Sequence, residues 1–221
     1  MTAATTHAPR TGGRLVLWSA VAVFAVMAMI AALPLATQKT LLTEGGPVET
    51  LSVIGYAICI ALLFVLWPLA EVARRWYFVV LLALFAGREL DLDKAPFTEG
   101  LLKARQYTGD TVGPVELVIS AAILLAIILT CLILLRRETG RFIRGLAARS
   151  PAAAATLLGV LFIGVYKAID GLARKLEPFG ITVSEDLNNL ISVIEEVGEL
   201  GIPLMFAVAI ILSARSAAGG A

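Results

Sequence analysis

Residues 117–135 read LVISAAILLAIILTCLILL, a run of 19 residues with no charge, no glycine and no proline. A helix needs about 20 predominantly apolar residues to cross the roughly 30 Å hydrocarbon core of a bilayer. The whole chain of 221 residues is 59% hydrophobic and 16% charged, whereas soluble domains are about half apolar and about a quarter charged. The composition therefore excludes a soluble domain and indicates an integral membrane protein.

Five further apolar runs approach the same length, so the sequence predicts six membrane-spanning helices. Backbone groups inside hydrocarbon have no water to bond, and a helix satisfies them within one segment. The predicted spans are 15–36, 50–70, 76–90, 115–135, 153–173 and 188–213. The predicted fold class is therefore all-α, a polytopic transmembrane helix bundle at residues 15–213, with a flexible cytoplasmic tail at 1–14 and another cytoplasmic tail at 214–221.

Two segments between the second and fourth spans are ambiguous. The run 76–90 is short for a membrane crossing. The segment 97–107 mixes leucines with charges, which fits either a short helix on the outer interface or a solvated loop.

Arginine is concentrated in alternate loops, and this asymmetry predicts the orientation of the chain. Cytoplasmic loops of membrane proteins carry an excess of lysine and arginine. One side of the six predicted spans has the arginines Arg10, Arg14, Arg74, Arg75, Arg136, Arg137, Arg141, Arg144, Arg149 and Arg215. The loops on the other side are mixed or acidic, so both termini are predicted to be cytoplasmic.

Most of the unusual side chains are predicted to lie toward the non-cytoplasmic side. At a helical rise of about 1.5 Å per residue, Glu199 falls roughly 20 Å from the cytoplasmic edge and about 10 Å below the outer surface. The same count places Lys167 at the depth of Glu199, and Asp170 at the depth of Glu195. One polar stripe of the last span consists of Asn188, Ser192, Glu195 and Glu199. Because isolated charges in hydrocarbon are costly, the polar stripes of the last two spans are expected to face each other.

This outer layer contains more acid than base. Its nine carboxylates are Glu49, Glu89, Asp91, Asp93, Glu116, Asp170, Glu195, Glu196 and Glu199. Its three bases are Arg88, Lys94 and Lys167. The acids cannot all pair with so few bases, so some must be protonated, in contact with water or bound to cations. The predicted cation- or proton-binding residues are Glu195, Glu196, Glu199, Glu89, Asp91, Asp170, Glu49 and Glu116, with Arg88 and Lys167 tuning their charge.

Simpler interpretations exist for several of these residues. Glu49 and Glu116 stand in first helical turns, where the macrodipole favours a negative charge without any ligand. Lys167 could form a structural ion pair with Glu199, and it could equally have a role in transport or catalysis. These alternatives remain open at the level of the sequence.

The last span also contains a helix breaker. Pro203 lacks a backbone donor and disfavours helix at the residue before it. Together with Gly201 it suits a hinge that exposes carbonyls beside the carboxylates, as in discontinuous transporter helices. A kink that serves packing alone is the alternative.

Any metal site in this chain is predicted to use oxygen ligands. The only histidine is His7, near the amino terminus, which excludes a three-histidine zinc site and a histidine-based catalytic relay. Oxygen ligands suit a hard cation such as calcium, magnesium, manganese or sodium. Glu195, Glu199 and Asp91 are the candidate ligands.

Three short motifs stand out, namely Glu44-Gly45-Gly46-Pro47-Val48-Glu49, Arg88-Glu89-Leu90-Asp91 and Glu195-Glu196-Val197-Gly198-Glu199. They resemble those of an uncharacterised group of small bacterial polytopic inner-membrane proteins. The resemblance covers most of the chain, implies a bacterial inner-membrane location and implies no known activity. A looser similarity is to the alkaline ceramidase and adiponectin-receptor-like membrane hydrolases. Those families have seven spans and a histidine-bearing zinc site, so neither zinc nor hydrolysis carries over.

Three functions fit these observations. The preferred hypothesis is a transporter-like membrane protein that binds or moves a cation or protons. The first alternative is a membrane-embedded enzyme in which an oxygen-bound metal acts on a lipid or lipid-linked substrate, although no carboxylate pair has a spacing diagnostic of catalysis. The second is an assembly or scaffold protein whose charges are ion-paired for folding.

The expected partners are the bilayer and a small cation or lipid, because no basic patch with interleaved aromatics points to nucleic acid.

Overall fold

The computed structural model describes residues 8–218, and all regular structure in this range is helical, without a strand. The ten α-helices of this range are α1 Ala8–Ala31, α2 Leu35–Leu41, α3 Pro47–Leu66, α4 Leu69–Arg74, α5 Trp76–Glu89, α6 Arg105–Thr108, α7 Pro114–Ala147, α8 Pro151–Ile169, α9 Leu172–Leu176 and α10 Glu185–Ala218. A 3-10 turn follows α9 at Glu177–Phe179. The all-α fold class is therefore confirmed. Residues 1–7, which include His7, and residues 219–221 lie outside the described range.

Five of these helices are long and apolar enough to cross a membrane. They are Thr11–Ala31, Pro47–Leu66, Pro114–Ala147, Pro151–Ile169 and Glu185–Ala217. The remaining predicted span, 76–90, corresponds to α5, which has 14 residues. At the helical rise, α5 is about 21 Å long, which is shorter than the hydrocarbon core.

Proline decides where several helices begin and end. Pro47, Pro114 and Pro151 open α3, α7 and α8, where the missing N–H is not needed. Pro34 disfavours helix at the residue before it, and α1 accordingly ends at Ala31 rather than near residue 36. At its other end α1 begins at Ala8, so it includes residues 8–14, which were predicted as tail.

Two helices continue well beyond the apolar runs that reveal them. α7 extends from the predicted end at residue 135 to Ala147, and α10 extends from residue 213 to Ala218. Charged residues such as arginine and glutamate are good helix formers, so a helix does not stop where its apolar run stops. The segment 97–107 consists mainly of turns, with only the four residues of α6 in helix.

α10 lies at the centre of the bundle and α7 at its edge. α10 packs against α8, α3 and α1, while α5 packs on α3 and α7 contacts α5 and α8. In the most apolar window of α10, 56% of the residues are buried inside the protein, compared with 11% for α7. The core centres on Val193, Val197 and Met205 of α10, which pack with Tyr56 and Leu63 of α3.

Aromatic contacts fix the direction of α5. The ring of Phe78 lies 6.0 Å from that of Trp67, just past the end of α3. The ring of Phe85, two turns later, stacks 5.6 Å from Tyr56 in the middle of α3. α5 therefore runs antiparallel to α3, and its last turn reaches the half of the bundle in which α3 begins.

Aromatic side chains of α8 pack directly against glycines of α10. The ring of Tyr166 lies directly against Gly198, so a Cβ at that position would overlap the ring. One turn away, a Cβ on Gly201 would lie 3.0 Å from the ring of Phe162. Small residues at helix contacts let backbones approach closely in membrane proteins. The close packing of α8 on α10 depends on these two positions.

Pro203 is buried and packed rather than free to move in this structure. α10 runs through Pro203 without interruption. Its ring fits against Gly55 of α3, where a Cβ would lie 2.9 Å from Cγ of the proline. The thiol of Cys59 donates to the carbonyl of Pro203 at 3.2 Å. Pro203 thus has a packing role here, and the hinge stays a prediction.

Replacing Gly198 with alanine is expected to lower the thermal unfolding midpoint. Overpacking costs roughly 1–3 kcal/mol, and each kcal/mol corresponds to about 2–4 °C for a chain of this size. Tryptophan fluorescence of the detergent-purified protein during heating measures the shift. The matched control is Gly164→Ala on α8, because a Cβ at Gly164 meets no neighbour. Equal midpoints for the two variants would contradict the proposed contact.

Candidate functional site

Five carboxylates from three helices gather in one half of the bundle. They are Glu49 of α3, Glu89 of α5, and Glu195, Glu196 and Glu199 of α10, and we call them the acid cluster. Glu89 is buried and the other four are half-buried. The carboxylates are close enough to repel one another, since Glu49 and Glu199 both act electrostatically on Glu89. The cluster is formed because α5 and α10 both pack on α3.

One guanidinium lies inside the acid cluster. Nη2 of Arg88 is 3.0 Å from Oε1 of Glu199, and Nη1 is 3.5 Å from Oε1 of Glu89. The side chains of Glu199 and Glu89 are only 13% and 5% exposed, whereas the side chain of Arg88 is 37% exposed, so the guanidinium lies at the edge of the buried layer. Arg88 therefore joins the end of α5 to the central helix α10.

Lys167 does not occupy the position that the depth count suggested. Its ammonium pairs with the carboxylate of Asp170, three residues later at the end of α8. The side chain of Lys167 is exposed and that of Asp170 is half-buried, which makes this a peripheral pair. The alternative of an ion pair between Lys167 and Glu199 is therefore wrong, because Arg88 takes that place. A helix rise predicts depth but not rotation about the helix axis, and rotation selects the partner.

Asp170 and Glu195 meet, as their common depth predicts. The two carboxyl groups lie close enough to interact electrostatically. The hydrogen bond from the Lys167 ammonium is the main cause that holds the pKa of Asp170 below its ordinary value. The contact extends the acid cluster from α10 to the rim of α8.

Glu196 differs from its neighbours in having no compensating charge. Within residues 8–218 it has neither an ion pair nor a hydrogen bond, although its side chain is half-buried. The carboxylates of Glu199, Glu195, Glu49 and Glu89 all act on it electrostatically. Glu196 therefore faces four other carboxylates with no ion-pair partner of its own.

Two predicted members of the site lie outside the acid cluster and have other partners. Glu116 accepts hydrogen bonds from the backbone N–H of Thr98 at 2.7 Å and from the amide of Gln106 at 2.8 Å. It thereby holds the loop before α7 in place. Asp91 pairs with the exposed ammonium of Lys94 at 2.6 Å, although it is still near enough to act on Glu89.

The polar stripe of α10 is only partly directed into the bundle. Asn188 is exposed, and the hydroxyl of Ser192 donates to its carbonyl at 3.1 Å. Ser192 lines a shallow groove against Leu35 and Gln38 of α2. The polar residues that face the other helices in this half of α10 are therefore the three glutamates.

Tyr56 belongs to the site but does not stand out in the sequence. It is 1% exposed, and its phenol lies close enough to Glu89, Glu199 and Arg88 to interact electrostatically with each of them. The sequence pattern that could have identified Tyr56 is its helical spacing from Glu49 along α3. One face of that helix, with alternating spacings of three and four residues, contains Glu49, Ser52, Tyr56, Cys59 and Leu63. From Ser52 onward all of these residues are buried.

Neither a metal-binding arrangement nor a similar known protein indicates what this site does. Across the described range, no group of three histidine, cysteine, aspartate or glutamate side chains is arranged to hold a metal ion. No family model, curated protein or solved structure matches the chain. What the site does must therefore be inferred from its own residues.

A double-mutant cycle is expected to detect the Arg88–Glu199 pair. Removing either partner leaves the other charge unpaired in a desolvated place, so we expect a coupling of about 1–3 kcal/mol between Arg88→Gln and Glu199→Gln. Thermal or denaturant unfolding in detergent supplies the four free energies. The exposed pair Lys94–Asp91 is the matched control and should give less than about 1 kcal/mol.

A second double-mutant cycle distinguishes Arg88, the observed partner of Glu199, from Lys167. Lys167→Gln combined with Glu199→Gln should show additive effects, because these two side chains do not pair. Strong coupling in this second cycle and none in the first would contradict the arrangement of the site.

Proposed function

We propose that this chain is an integral membrane protein that binds protons in the acid cluster and moves them across a bacterial inner membrane. The observation that carries the proposal is the excess of acid. Five half-buried or buried carboxylates share the single guanidinium of Arg88. Like charges at short range in a poorly hydrated layer cannot all ionise, so the cluster retains protons.

Protons suit the site better than a metal cation. The guanidinium of Arg88 already lies between Glu89 and Glu199, where a bound cation would have to sit. Glu195 and Asp170 are neighbouring carboxyl groups, an arrangement that favours a proton on one of them. Calcium needs six to eight oxygen ligands, and in the part of the chain that the structure describes no three acidic side chains are arranged closely enough to hold a metal ion.

The residues form a series from the rim of the bundle toward its interior. Asp170 is the most exposed member, Glu195 contacts it, and Glu199 lies one turn further along α10. Tyr56 is the innermost polar group of the series. Beyond Tyr56 the core is apolar, with Leu63 and Met205 at its centre.

Transport across the apolar half requires a second arrangement of the helices. Gly201 and Pro203 lie on α10 directly after Glu199, at the boundary between the acid cluster and the apolar core. Pro203 has no N–H, so the carbonyl of Glu199 lacks its helical donor. The predicted hinge at these residues would allow α10 to open the path toward the other side.

The same proposal includes six membrane crossings with both termini cytoplasmic. α5 runs antiparallel to α3 and ends beside the acid cluster, which supports a crossing despite its length. Gly12 of α1 lies against Pro151 at the start of α8 and Leu212 near the end of α10. The two ends of the chain thus approach the same end of the bundle, where arginines are concentrated.

Labelling of introduced cysteines tests the number of crossings. In a background with Cys59 and Cys131 replaced by alanine, Thr43→Cys and Thr111→Cys are expected to react with a membrane-impermeant maleimide from outside the cell. Thr139→Cys, on the arginine-bearing part of α7, should react only after permeabilisation. Labelling of positions 43 and 111 from opposite sides would show that α5 does not cross.

Proton flux into liposomes tests the function directly. The protein is reconstituted with a pH-sensitive dye inside, and flux is driven by a potassium diffusion potential. We expect Glu196→Gln to reduce the flux at least tenfold, because it removes an exchangeable carboxyl without breaking an ion pair. Glu185→Gln, at an exposed position on the same helix, is the control.

Two results would count against proton transport. Flux equal to that of empty liposomes, or flux unchanged by Glu196→Gln, would remove the acid cluster from any transport path. If Arg88→Gln then also lowered the folded yield, the charges would serve folding, as in the scaffold alternative.

A further inference from the structure

The end of the bundle opposite the acid cluster has a strongly basic surface. Among residues 11–217 it contains nine arginines, Arg14, Arg74, Arg75, Arg136, Arg137, Arg141, Arg144, Arg149 and Arg215, but only two acids, Glu71 and Glu138. All five lysines of the chain lie toward the other end. We call this surface the arginine end. Its positive charge far exceeds what its own acids can neutralise.

Both acids of the arginine end are already engaged. Glu71 pairs with Arg74 and Arg75. Glu138 pairs with Arg141 at 2.9 Å and also accepts the hydroxyl of Tyr77. No acid of this surface is therefore available to a further arginine.

Four arginines of α7 and the following turn have no acidic partner in the described range. They are Arg136, Arg137, Arg144 and Arg149, and all four are exposed. Arg137 makes a single long hydrogen bond, from Nη1 to the carbonyl of Arg74 at 3.4 Å. A guanidinium presents donors in a planar fork that matches the oxygens of a phosphate. Four such groups on one surface form a site for phosphate-bearing ligands.

The depth of these arginines favours a lipid headgroup as that ligand. Glu138 contacts Tyr77, the second residue of α5, and Gly145 lies against Ala153, the third residue of α8. The arginine-bearing turns of α7 are thus level with the first turns of two apolar helices. That level is where hydrocarbon gives way to headgroups.

Tryptophan supports the same assignment. The three tryptophans of the chain, Trp18, Trp67 and Trp76, all lie toward the arginine end. Trp18 and Trp76 are exposed, and the guanidinium of Arg75 lies 5.3 Å from the ring centroid of Trp67. Tryptophan is enriched at the membrane–water interface, with its ring at the headgroup level.

We propose that the arginine end binds the headgroups of anionic phospholipids through Arg136, Arg137, Arg144 and Arg149. The four unpaired guanidinium groups, the headgroup depth and the neighbouring tryptophans carry this assignment. Each basic residue near an anionic membrane surface strengthens binding by about fivefold. The interaction concerns the opposite end from the acid cluster and does not depend on the proposed proton transport.

Quenching of tryptophan fluorescence by brominated lipids tests the proposal, because the reporters already lie at this end. The full chain is reconstituted in mixed vesicles of phosphatidylglycerol and phosphatidylcholine, with bromine on one lipid or the other. For the native sequence we expect brominated phosphatidylglycerol to quench at least fivefold more effectively at equal mole fraction. The preference should weaken as salt increases, because salt screens the charges.

Two quadruple variants distinguish charge from fold. Replacement of all four arginines by glutamine should abolish the preference, whereas replacement by lysine should preserve most of it because lysine retains the charge. The control for net charge changes Lys103, Arg105, Arg174 and Lys175, toward the other end, to glutamine and should leave the preference intact.

Equal quenching of the native protein by both lipids would overturn the proposal, as would an undiminished preference in the glutamine variant. Equal quenching together with capture of a soluble polyanion by the same vesicles would assign the four arginines to a soluble acidic partner instead.

Discussion

The ion pair between Arg88 and Glu199 is the interaction on which the organisation of the bundle depends. It joins the short helix α5 to α10, which is the most buried of the five helices long enough to cross a membrane. Without Arg88, the carboxylates of α3, α5 and α10 would meet in a poorly hydrated layer, and Lys167, which acts on Glu195 from the rim, would be the base left to offset them. Buried ion pairs add little net stability, but losing one partner is costly because the other charge stays behind. The pair therefore specifies which helices meet at this level.

The two ends of the helix bundle differ in charge. Acids exceed bases at the end that contains the cluster, and arginines exceed acids at the other. Between them lies an apolar core packed through glycine, at Gly198 and Gly201, against the rings of α8. This division is the reason why we propose protons as the partner of one end and anionic headgroups as the partner of the other, and the two proposals can fail independently.

Hydropathy predicts most of the fold because burial in lipid requires apolar length, and five of the six predicted spans correspond to helices long enough to cross. It does not predict that α7 continues to Ala147, because charged residues continue a helix without adding hydropathy. Depth counting correctly predicts that Asp170 meets Glu195. It fails for Lys167, since rise along a helix contains no information about rotation. The hydrogen bonds of Glu116 come from an aperiodic loop, which no helical pattern can predict.

We propose that the acid cluster retains at least one proton at neutral pH, because Arg88 cannot compensate all of its carboxylates. Infrared spectroscopy of the reconstituted protein measures this directly, since protonated carboxyl groups and carboxylates absorb at different frequencies. We expect a protonated carboxyl band at neutral pH that decreases in Glu196→Gln and is unchanged in Glu185→Gln. A spectrum with no such band in the native protein would show that every carboxylate is ionised and that the cluster retains no proton.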